Sequence, residues 1–306
     1  MLFCLMDDSV IDSYVRAGNI AREIKKFVEN FVKKDMKLID IALAIDDKIA
    51  KFGATPAFPV NLSIDEVAAH FTPDLSCEKK AGGLLKVDIG VCVDGYIADT
   101  AISIDLTGGE HKHLLEANRL VLSNVEKIVK PKMKLNEVGI AVEEALLKFN
   151  SDNGTNFSIV RGLCGHSLGK DTIHAGITIP NYKNPSETIL DEIAFAVEPF
   201  LTYGRGEIYE GAGGGIFALS KVGAKVRDSY SREILAFIEE NYKTRPFCTR
   251  WLEKAGFRKL RFVLSIFEKQ GILKQYPLLI EKTKSAVSQF ENTFLIANGN
   301  ILITTR

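Results

Sequence analysis

The clearest alternation of apolar and polar residues lies between residues 84 and 104, LLKVDIGVCVDGYIADTAISI. Two alternating segments meet there at Asp94 and Gly95, a dipeptide typical of a tight β-hairpin turn with both residues at positive φ. Such a hairpin places Asp88 and Asp99 on one face as diagonal neighbours, about 7–8 Å apart. The pattern therefore predicts a hairpin that carries two carboxylates side by side.

A single aspartate in an apolar strand has a simple alternative explanation, because edge strands often carry solvated charges. That explanation does not suit two aspartates on the same face. Asp88 and Asp99 on one face would repel each other unless a proton or a cation lay between them. The hairpin therefore indicates a cation site.

Helical spacing of apolar residues predicts helices over residues 9–34, 37–52 and 110–129. A further segment, KLNEVGIAVEEALLKF (134–149), matches KLIDIALAIDDKIAKF (37–52) without a gap at an offset of 97 residues. Amphipathic helices share a general pattern, so the match alone does not exclude coincidence. It nevertheless favours an internal duplication.

The second half repeats the acidic strands as well. IAFAVEPF resembles LLKVDIG and sets Glu198 against Asp88. SQFENTFLIANGNILITT predicts a second hairpin that turns at Asn298 and Gly299, in which Glu291 corresponds to Asp99. Two carboxylates from each half would then converge on a site between the halves.

One stretch of the second half has no counterpart in the first half. Residues 216–276 show helical patterns and are interpreted as an insertion into the second half, and Gly-rich residues 211–215 as a flexible turn that leads into it. Within the insertion, the basic residues 245–261 are interpreted as a solvated face over a packed tryptophan rather than a nucleic-acid surface. Ser63 and Glu66 resemble a capping box, which predicts a helix start.

Composition narrows the class of protein. Among 306 residues, 39 basic and 39 acidic side chains balance, so no charge excess favours nucleic acid or anionic membranes. Five cysteines without CxxC spacing suit reduced thiols. Residues 1–10 lack the basic leader of a signal peptide, and no apolar run is long enough to span a bilayer. We expect a cytoplasmic protein.

The candidate ligands are oxygen-rich. Four strand carboxylates and one histidine in a glycine-flanked loop suit borderline divalent ions such as Mn, Fe, Co or Zn. So many carboxylates usually serve two ions, which makes hydrolysis the natural reaction. The five residues are Asp88, Asp99, His166, Glu198 and Glu291.

Three of the histidines lie in glycine- or proline-punctuated stretches beside the acidic strands: His70, His166 and His174. A lone histidine is more often structural than functional, but loops frequently carry functional residues. These three are therefore candidates for the site.

Together these motifs resemble those of methionine aminopeptidases: KVDIGVCVDGYIADTA, GHSLGKDTIHAGITIPN, FAVEPF and SQFENT. PAFPVNLSIDEVAAHFTP, PFCTRWL and GILKQYPLL resemble the type II subclass, and the short N-terminus is similar to its archaeal form. The resemblance covers nearly the whole chain. It implies the α+β "pita-bread" fold, a duplicated architecture with antiparallel sheet, with halves at about 9–125 and 126–306. A catalytic domain of residues 1–215 and 277–306 would then carry an insertion subdomain, 216–276.

The resemblance also implies roles. The five candidate ligands match the family's metal ligands, which hold two divalent ions, and a metal-bridged hydroxide attacks the first peptide bond. His70 would contact the scissile amide, His174 the carbonyl oxygen, and Glu198 would relay protons. Phe58 and Ile173 would line the methionine pocket. The implied substrate is the initiator methionine of nascent chains, with a monomeric enzyme that meets them at the ribosome surface and binds no membrane or specific nucleic acid.

Two departures and two rivals stay open. Asn292 replaces the histidine that usually follows the last glutamate, so metal affinity or preference would shift if that side chain supports the metal site. Residues 211–215 also differ from the family. One rival function is an Xaa-Pro peptidase, whose large domain before the catalytic part finds no room ahead of Asp88. The other is an inactive pita-bread protein that binds ribosomes or RNA, which the intact ligands disfavour.

Overall fold

The computed structural model describes residues 5–306, so Cys4 and the first part of the segment judged not to be a signal peptide lie outside the described residues. The described helices agree with the helical periodicity. Their bounds are α1 (Asp8–Phe31), α2 (Leu38–Lys51), α3 (Lys112–Ile128), α4 (Leu135–Asn153), α5 (Ser229–Asn241), α6 (Thr249–Lys254) and α7 (Leu260–Lys269). No helix among these residues is both long and apolar enough to cross a membrane.

The strands lie between the helices and form several small antiparallel sheets. Their bounds are β1 (Thr55–Pro56), β2 (Asn61–Ile64), β3 (Val67–Ala69), β4 (Leu84–Val93), β5 (Tyr96–Asp105), β6 (Met133–Lys134), β7 (Ser158–Ile159), β8 (Gly165–Leu168), β9 (Thr178–Ile179), β10 (Ile189–Leu190), β11 (Ile193–Val197), β12 (Phe200–Thr202), β13 (Ile208–Leu219), β14 (Phe247–Cys248), β15 (Leu273–Glu281), β16 (Val287–Gln289), β17 (Asn292–Ala297) and β18 (Asn300–Ile303).

Two of these sheets carry most of the site. In the first, β4 pairs with β1, β2 and β5; in the second, the order is β18-β17-β11-β8-β9. The predicted hairpin is confirmed, because β4 pairs with β5 in the expected register and Asp94 and Gly95 have φ of 53° and 90°. The second predicted hairpin, β17–β18, also turns at residues of positive φ, Asn298 and Gly299.

Helices cover the outer faces of the sheets. One side of α1 presents small and apolar residues at helical spacing, including Ala17, Ala21 and Ile24, to β4 and β5. A Cβ atom added to Gly18 would lie only 2.4 Å from Thr304, which shows that the C-terminal segment packs directly on α1. The matched segments of the sequence repeat form α2 and α4, and α4 packs against α3.

The first sheet meets the C-terminal segment along β5. Ala101 and Glu291 exchange backbone hydrogen bonds, at 3.1 and 3.4 Å. On either side of this bridge, side chains replace the ladder: Thr293 Oγ1 donates to Asp99 O, and Ser103 Oγ donates to Gln289 O, each at 2.8 Å. This seam fixes the last predicted ligand against the first hairpin.

The basic residues 245–261 are not a uniformly solvated face, because Arg245 and Arg250 are buried. Two interpretations of local sequence patterns are also wrong. Ser63 and Glu66 do not start a helix: Ser63 lies in β2, which pairs with β4, and the following strand β3 pairs with β15. Asp65, at φ 49°, lies in the turn between β2 and β3, and its Oδ1 accepts a hydrogen bond from Leu84 N. The glycine-rich residues 211–215 are not a turn. They belong to the long strand β13, whose pairing with β15 shifts register at this point, because glycine lets neighbouring backbone approach closely.

A separate cluster of buried apolar side chains lies between β13 and β15. Its members come from residues 217–273 and include Phe217, Ile238, Phe247 and Phe267. The predicted insertion, residues 216–276, is not wholly helical, since it contains β14, the last residues of β13 and the first residues of β15. Trp251 packs there beside Tyr242 and donates a hydrogen bond to Asp46 of α2. The proposed limits of an insertion subdomain stay a prediction.

Candidate metal and substrate site

The five predicted ligands lie around one cavity of about 320 Å³. The hairpin supplies Asp88 from β4 and Asp99 from β5, whereas Glu198 directly follows β11 and Glu291 directly precedes β17. His166 was expected in a loop but lies in strand β8, which pairs with β11. Neighbouring strands therefore bring together residues that are far apart in sequence.

Their geometry is compact. His166 Nε2 lies 3.6 Å from both Asp99 Oδ2 and Glu198 Oε1. Asp99, His166 and Glu291 each offer a ligand atom within 4.8 Å of the others. Gln289 Nε2 donates to Glu198 Oε2 at 3.3 Å, which fixes that carboxylate from the side of β16.

The donor set fits a divalent metal. Within residues 5–306, Asp88 Oδ1, Asp99 Oδ1 and both carboxylate oxygens of Glu291 are buried without a hydrogen-bond partner. Ionised carboxylates only accept hydrogen bonds, so a buried group of them requires protons or a cation. Several oxygens with one imidazole nitrogen suit borderline divalent ions.

Electrostatics lead to the same conclusion. Burial raises the pKa of Asp88 to about 7. Burial and the neighbouring carboxylates raise the pKa values of Asp99, Glu198 and Glu291 well above their ordinary range. Burial, and then the nearby His174, lowers the pKa of His166 to about 3, so its imidazole is neutral and free to bind a metal. The site holds negative charge only if a cation offsets it.

The two predicted pocket residues form an apolar wall beside these carboxylates. Phe58 and Ile173 are each 7% exposed, line the cavity and belong to one apolar cluster with Ala57 and Leu168. Gly90 pairs with Asp99 in the hairpin, and a Cβ atom added to Gly90 would lie 2.3 Å from the Phe58 ring. The metal hairpin thus also seats the apolar wall.

His70 follows β3 in a left-handed conformation, with φ 73°. Its backbone N donates to Asn61 Oδ1 at 2.8 Å, and its Nδ1 lies 3.0 Å from the carbonyl oxygen of Pro277. Because burial lowers its pKa, the ring is neutral. Nδ1 must therefore carry the proton that it donates to Pro277, and Nε2 is left as an acceptor.

The glycine-rich part of β13 supports this histidine. A Cβ on Gly214 would lie 1.7 Å from the carbonyl oxygen of His70, and Thr72 N donates to Gly214 O at 2.9 Å. Sequence reasoning missed both Asn61 and Gly214. Asn61 lies within a quoted motif, but nothing in the sequence alone shows that its side chain holds the His70 backbone.

His174 lies at the exposed rim of the same cavity. Its ring meets that of His166 edge-on, with centroids 4.5 Å apart. Partial burial and then the positive charge of Lys274 lower its pKa, so the ring is neutral and one nitrogen can donate a hydrogen bond. The cavity thus brings His70, His166 and His174 together.

Asn292 does not reach the ligands. Its side chain donates to Glu126 Oε1 at 2.7 Å and accepts hydrogen bonds from Lys25 Nζ and Thr305 Oγ1. These partners lie on α1, on α3 and near the C-terminus, on the other side of β17 from the cavity, as strand alternation requires for the residue after Glu291. The side chain therefore belongs to a buried network behind the site.

The sequence matches metallopeptidase family M24 over residues 12–231. The chain therefore belongs to this family of metallopeptidases, which makes it a hydrolase that depends on divalent metal. Its relatives point to one kind of enzyme. Proteins named methionine aminopeptidase are similar along nearly the whole chain: that of Thermococcus onnurineus is 39% identical over 96% of this chain and 99% of its own, and that of Archaeoglobus fulgidus is 35% identical over 98% and 100%.

Solved structures show the same fold. The methionine aminopeptidase from Rickettsia prowazekii aligns over all of both chains with a TM-score of 0.68 and 21% identity. A thermophilic Arx1 aligns over 98% of this chain and 91% of its own, with a TM-score of 0.80 and 15% identity. The prolidase from Pyrococcus furiosus aligns over 99% of this chain but 65% of its own, with a TM-score of 0.55. The predicted pita-bread fold is confirmed.

Proposed function

We propose that this protein removes the N-terminal methionine from nascent polypeptides. The observation that carries the proposal is the convergence of four carboxylates and His166 beside the apolar wall of Phe58 and Ile173. A methionine side chain is apolar and unbranched, and such a wall suits it. The relatives named methionine aminopeptidase support the same substrate.

We propose that the five ligand residues hold two divalent ions. Bound there, such ions supply an activated water and polarise the peptide carbonyl. His174 donates a hydrogen bond to the carbonyl oxygen as negative charge develops on it. His70 accepts the N–H of the scissile amide at Nε2, since its Nδ1 is already committed to Pro277. Glu198, oriented by Gln289, holds a proton during the reaction and passes it to the leaving amine.

Peptide cleavage by metal-loaded protein tests this function. Met-Ala-Ser should lose its methionine, whereas N-acetylated Met-Ala-Ser and Ala-Pro should not be cleaved, and Glu198→Gln should lower kcat by about 10²- to 10⁴-fold. No release of methionine with Mn, Fe, Co or Zn would refute the proposal. Faster cleavage of Ala-Pro than of Met-Ala-Ser would assign the site to an Xaa-Pro peptidase instead.

The cellular setting is part of the proposal. We propose that the protein acts as a monomer in the cytoplasm, where nascent chains expose their first methionine, and that it meets them at the ribosome surface without a membrane or specific nucleic-acid partner. The balance of 39 basic and 39 acidic side chains supports this, because it leaves no charge excess that would favour nucleic acid or anionic membranes. Cell fractionation and cosedimentation with translating ribosomes test it, and recovery in the membrane fraction would contradict it.

A further inference from the structure

Arg245 lies between the two chain segments that form the apolar wall. Its side chain is largely buried, and its Nη1 donates to Thr55 Oγ1 at 3.0 Å and to Pro56 O at 3.1 Å. Pro56 is two residues before Phe58, and Thr55 and Pro56 form β1, which pairs with β4. One edge of the guanidinium therefore holds the segment that presents Phe58.

The same guanidinium also faces the segment that carries Ile173, the second residue of the apolar wall. Arg245 Nε lies 3.3 Å from Asp171 Oδ1, and Lys243 Nζ donates to Asp171 Oδ2 at 2.6 Å. Asp171 is two residues before Ile173. Its own backbone is in the left-handed region, with φ 53°, and its N donates to Gly95 O at 2.7 Å. The loop with Ile173 is thus held against the hairpin turn.

Arg245 is itself fixed. Its Nη2 donates to Asn241 O at the end of α5, and the next residue, Pro246, lines the cavity. The two terminal nitrogens donate to three acceptors, whereas Nε forms an ion pair with Asp171 without a hydrogen bond. A lysine ammonium is a single point and cannot reach all of these partners at once. We propose that Arg245 is a positioning residue that sets the spacing between Phe58 and Ile173, and with it the selectivity of the apolar pocket for methionine. The inference rests on the proposed function.

Two substitutions test it. Arg245→Met removes the bridge and should raise KM for Met-Ala-Ser about tenfold, with a smaller change in kcat. It should also lower the preference for Met-Ala-Ser over Leu-Ala-Ser, as a ratio of kcat/KM, at least fivefold. Affinity for Mn²⁺, measured by calorimetry, should stay within twofold, because Arg245 contacts no ligand residue. Arg245→Lys should restore part of the preference.

Matched controls separate positioning from general damage. Arg232→Met changes an exposed arginine of α5 and should leave KM and the preference unchanged. If Arg245→Met fails to fold, Thr55→Val removes one acceptor without leaving a buried charge alone, and it should lower the preference in the same direction. Hydrogen exchange of the metal-loaded protein should show faster exchange in residues 55–58 and 169–174 of Arg245→Met.

The outcomes are distinguishable. An unchanged preference together with unchanged exchange in both segments would overturn the inference while the wild-type protein still releases methionine. If the wild-type protein releases no methionine, the proposed function fails, and the exchange experiment alone decides whether Arg245 holds the two segments. Loss of Mn²⁺ affinity in Arg245→Met would also overturn the inference, because the effect would then lie in the metal site.

Discussion

The Asn292 side chain donates a hydrogen bond of 2.7 Å to Glu126 Oε1, so the residue at which the family resemblance implies a histidine faces away from the carboxylate of Glu291. Lys25 completes the network, since its ammonium donates to Asn292, to Thr100 Oγ1 and to Thr305 O at 2.9–3.0 Å. Burial lowers the pKa of Lys25 to about 8. The network holds β5 to β17 from behind the site.

Asn292→Ala should therefore act on stability more than on metal binding. It leaves Lys25 without one acceptor and Glu126 without one donor, which costs about 1–3 kcal/mol in the free energy of unfolding. Chemical denaturation measures this loss, and calorimetry with Mn²⁺ should show an affinity within threefold of wild type. Asn300→Ala, at an exposed residue of the neighbouring β18, is the control. A tenfold loss of affinity without a loss of stability would show that Asn292 does act on the metals.

The sequence predicts the site better than it predicts the chain around it. Asp88 and Asp99 could be paired in advance because a two-residue turn fixes hairpin register, and strand alternation then fixes the face. Glu198 and Glu291 followed from the internal repeat. In contrast, the helix start expected at Ser63 is a strand, because pairing of β2 with β4 overrides a local capping pattern.

The residues that support the site could not be predicted from the sequence, for a physical reason. Arg245 and Asp171 are 74 residues apart, and neither lies in a local pattern that shows its partner. The glycines of residues 211–215 were interpreted as a turn because glycine is frequent in turns, yet here they admit the backbone of His70. Such contacts depend on tertiary packing, which a period of 2 or 3.6 residues does not encode.

Asp99→Asn should separate the folding cost of the site from its function. In the metal-free protein it removes one of several repelling buried carboxylates, so the melting temperature at pH 8 should rise by a few degrees. The rise in melting temperature on adding Mn²⁺ should be largely lost, because one ligand is gone. Asp12→Asn, at an exposed residue of α1, should change neither value. A metal-free variant less stable than wild type would contradict the argument.

The stabilisation provided by metal should grow as pH rises from 6 to 8. Burial raises the pKa of Asp88 to about 7, and burial with the neighbouring carboxylates raises the pKa values of Asp99, Glu198 and Glu291 well above their ordinary range. A carboxyl whose pKa is raised in the folded state stabilises the metal-free fold at low pH, and this contribution is lost as pH rises toward the folded pKa. A bound metal displaces those protons, so the free energy by which metal stabilises the fold increases as the carboxyls ionise.

Denaturation with and without saturating Mn²⁺ at pH 6, 7 and 8 measures that gain as a difference in unfolding free energy. The pKa of Lys86 is lowered by burial, and its charged neighbours are Asp65 and Glu66 rather than the ligands, so its contribution is the same in both conditions and largely cancels. Calorimetry in two buffers of different ionisation enthalpy should show proton release on metal binding. A difference that is flat or falls with pH would mean that the carboxylates are already ionised in the metal-free protein.

Gly214→Ala should impair turnover without weakening metal binding. The new Cβ would meet the carbonyl oxygen of His70 at 1.7 Å, so the loop that carries this histidine must move. We expect kcat/KM for Met-Ala-Ser to fall at least tenfold, with Mn²⁺ affinity within twofold, because no ligand residue lies on β3 or β13. Gly82→Ala is the matched control, since no atom of residues 5–306 beyond its chain neighbours lies within 4 Å of its added Cβ. Equal activity of the two variants would show that the position of His70 does not limit the reaction.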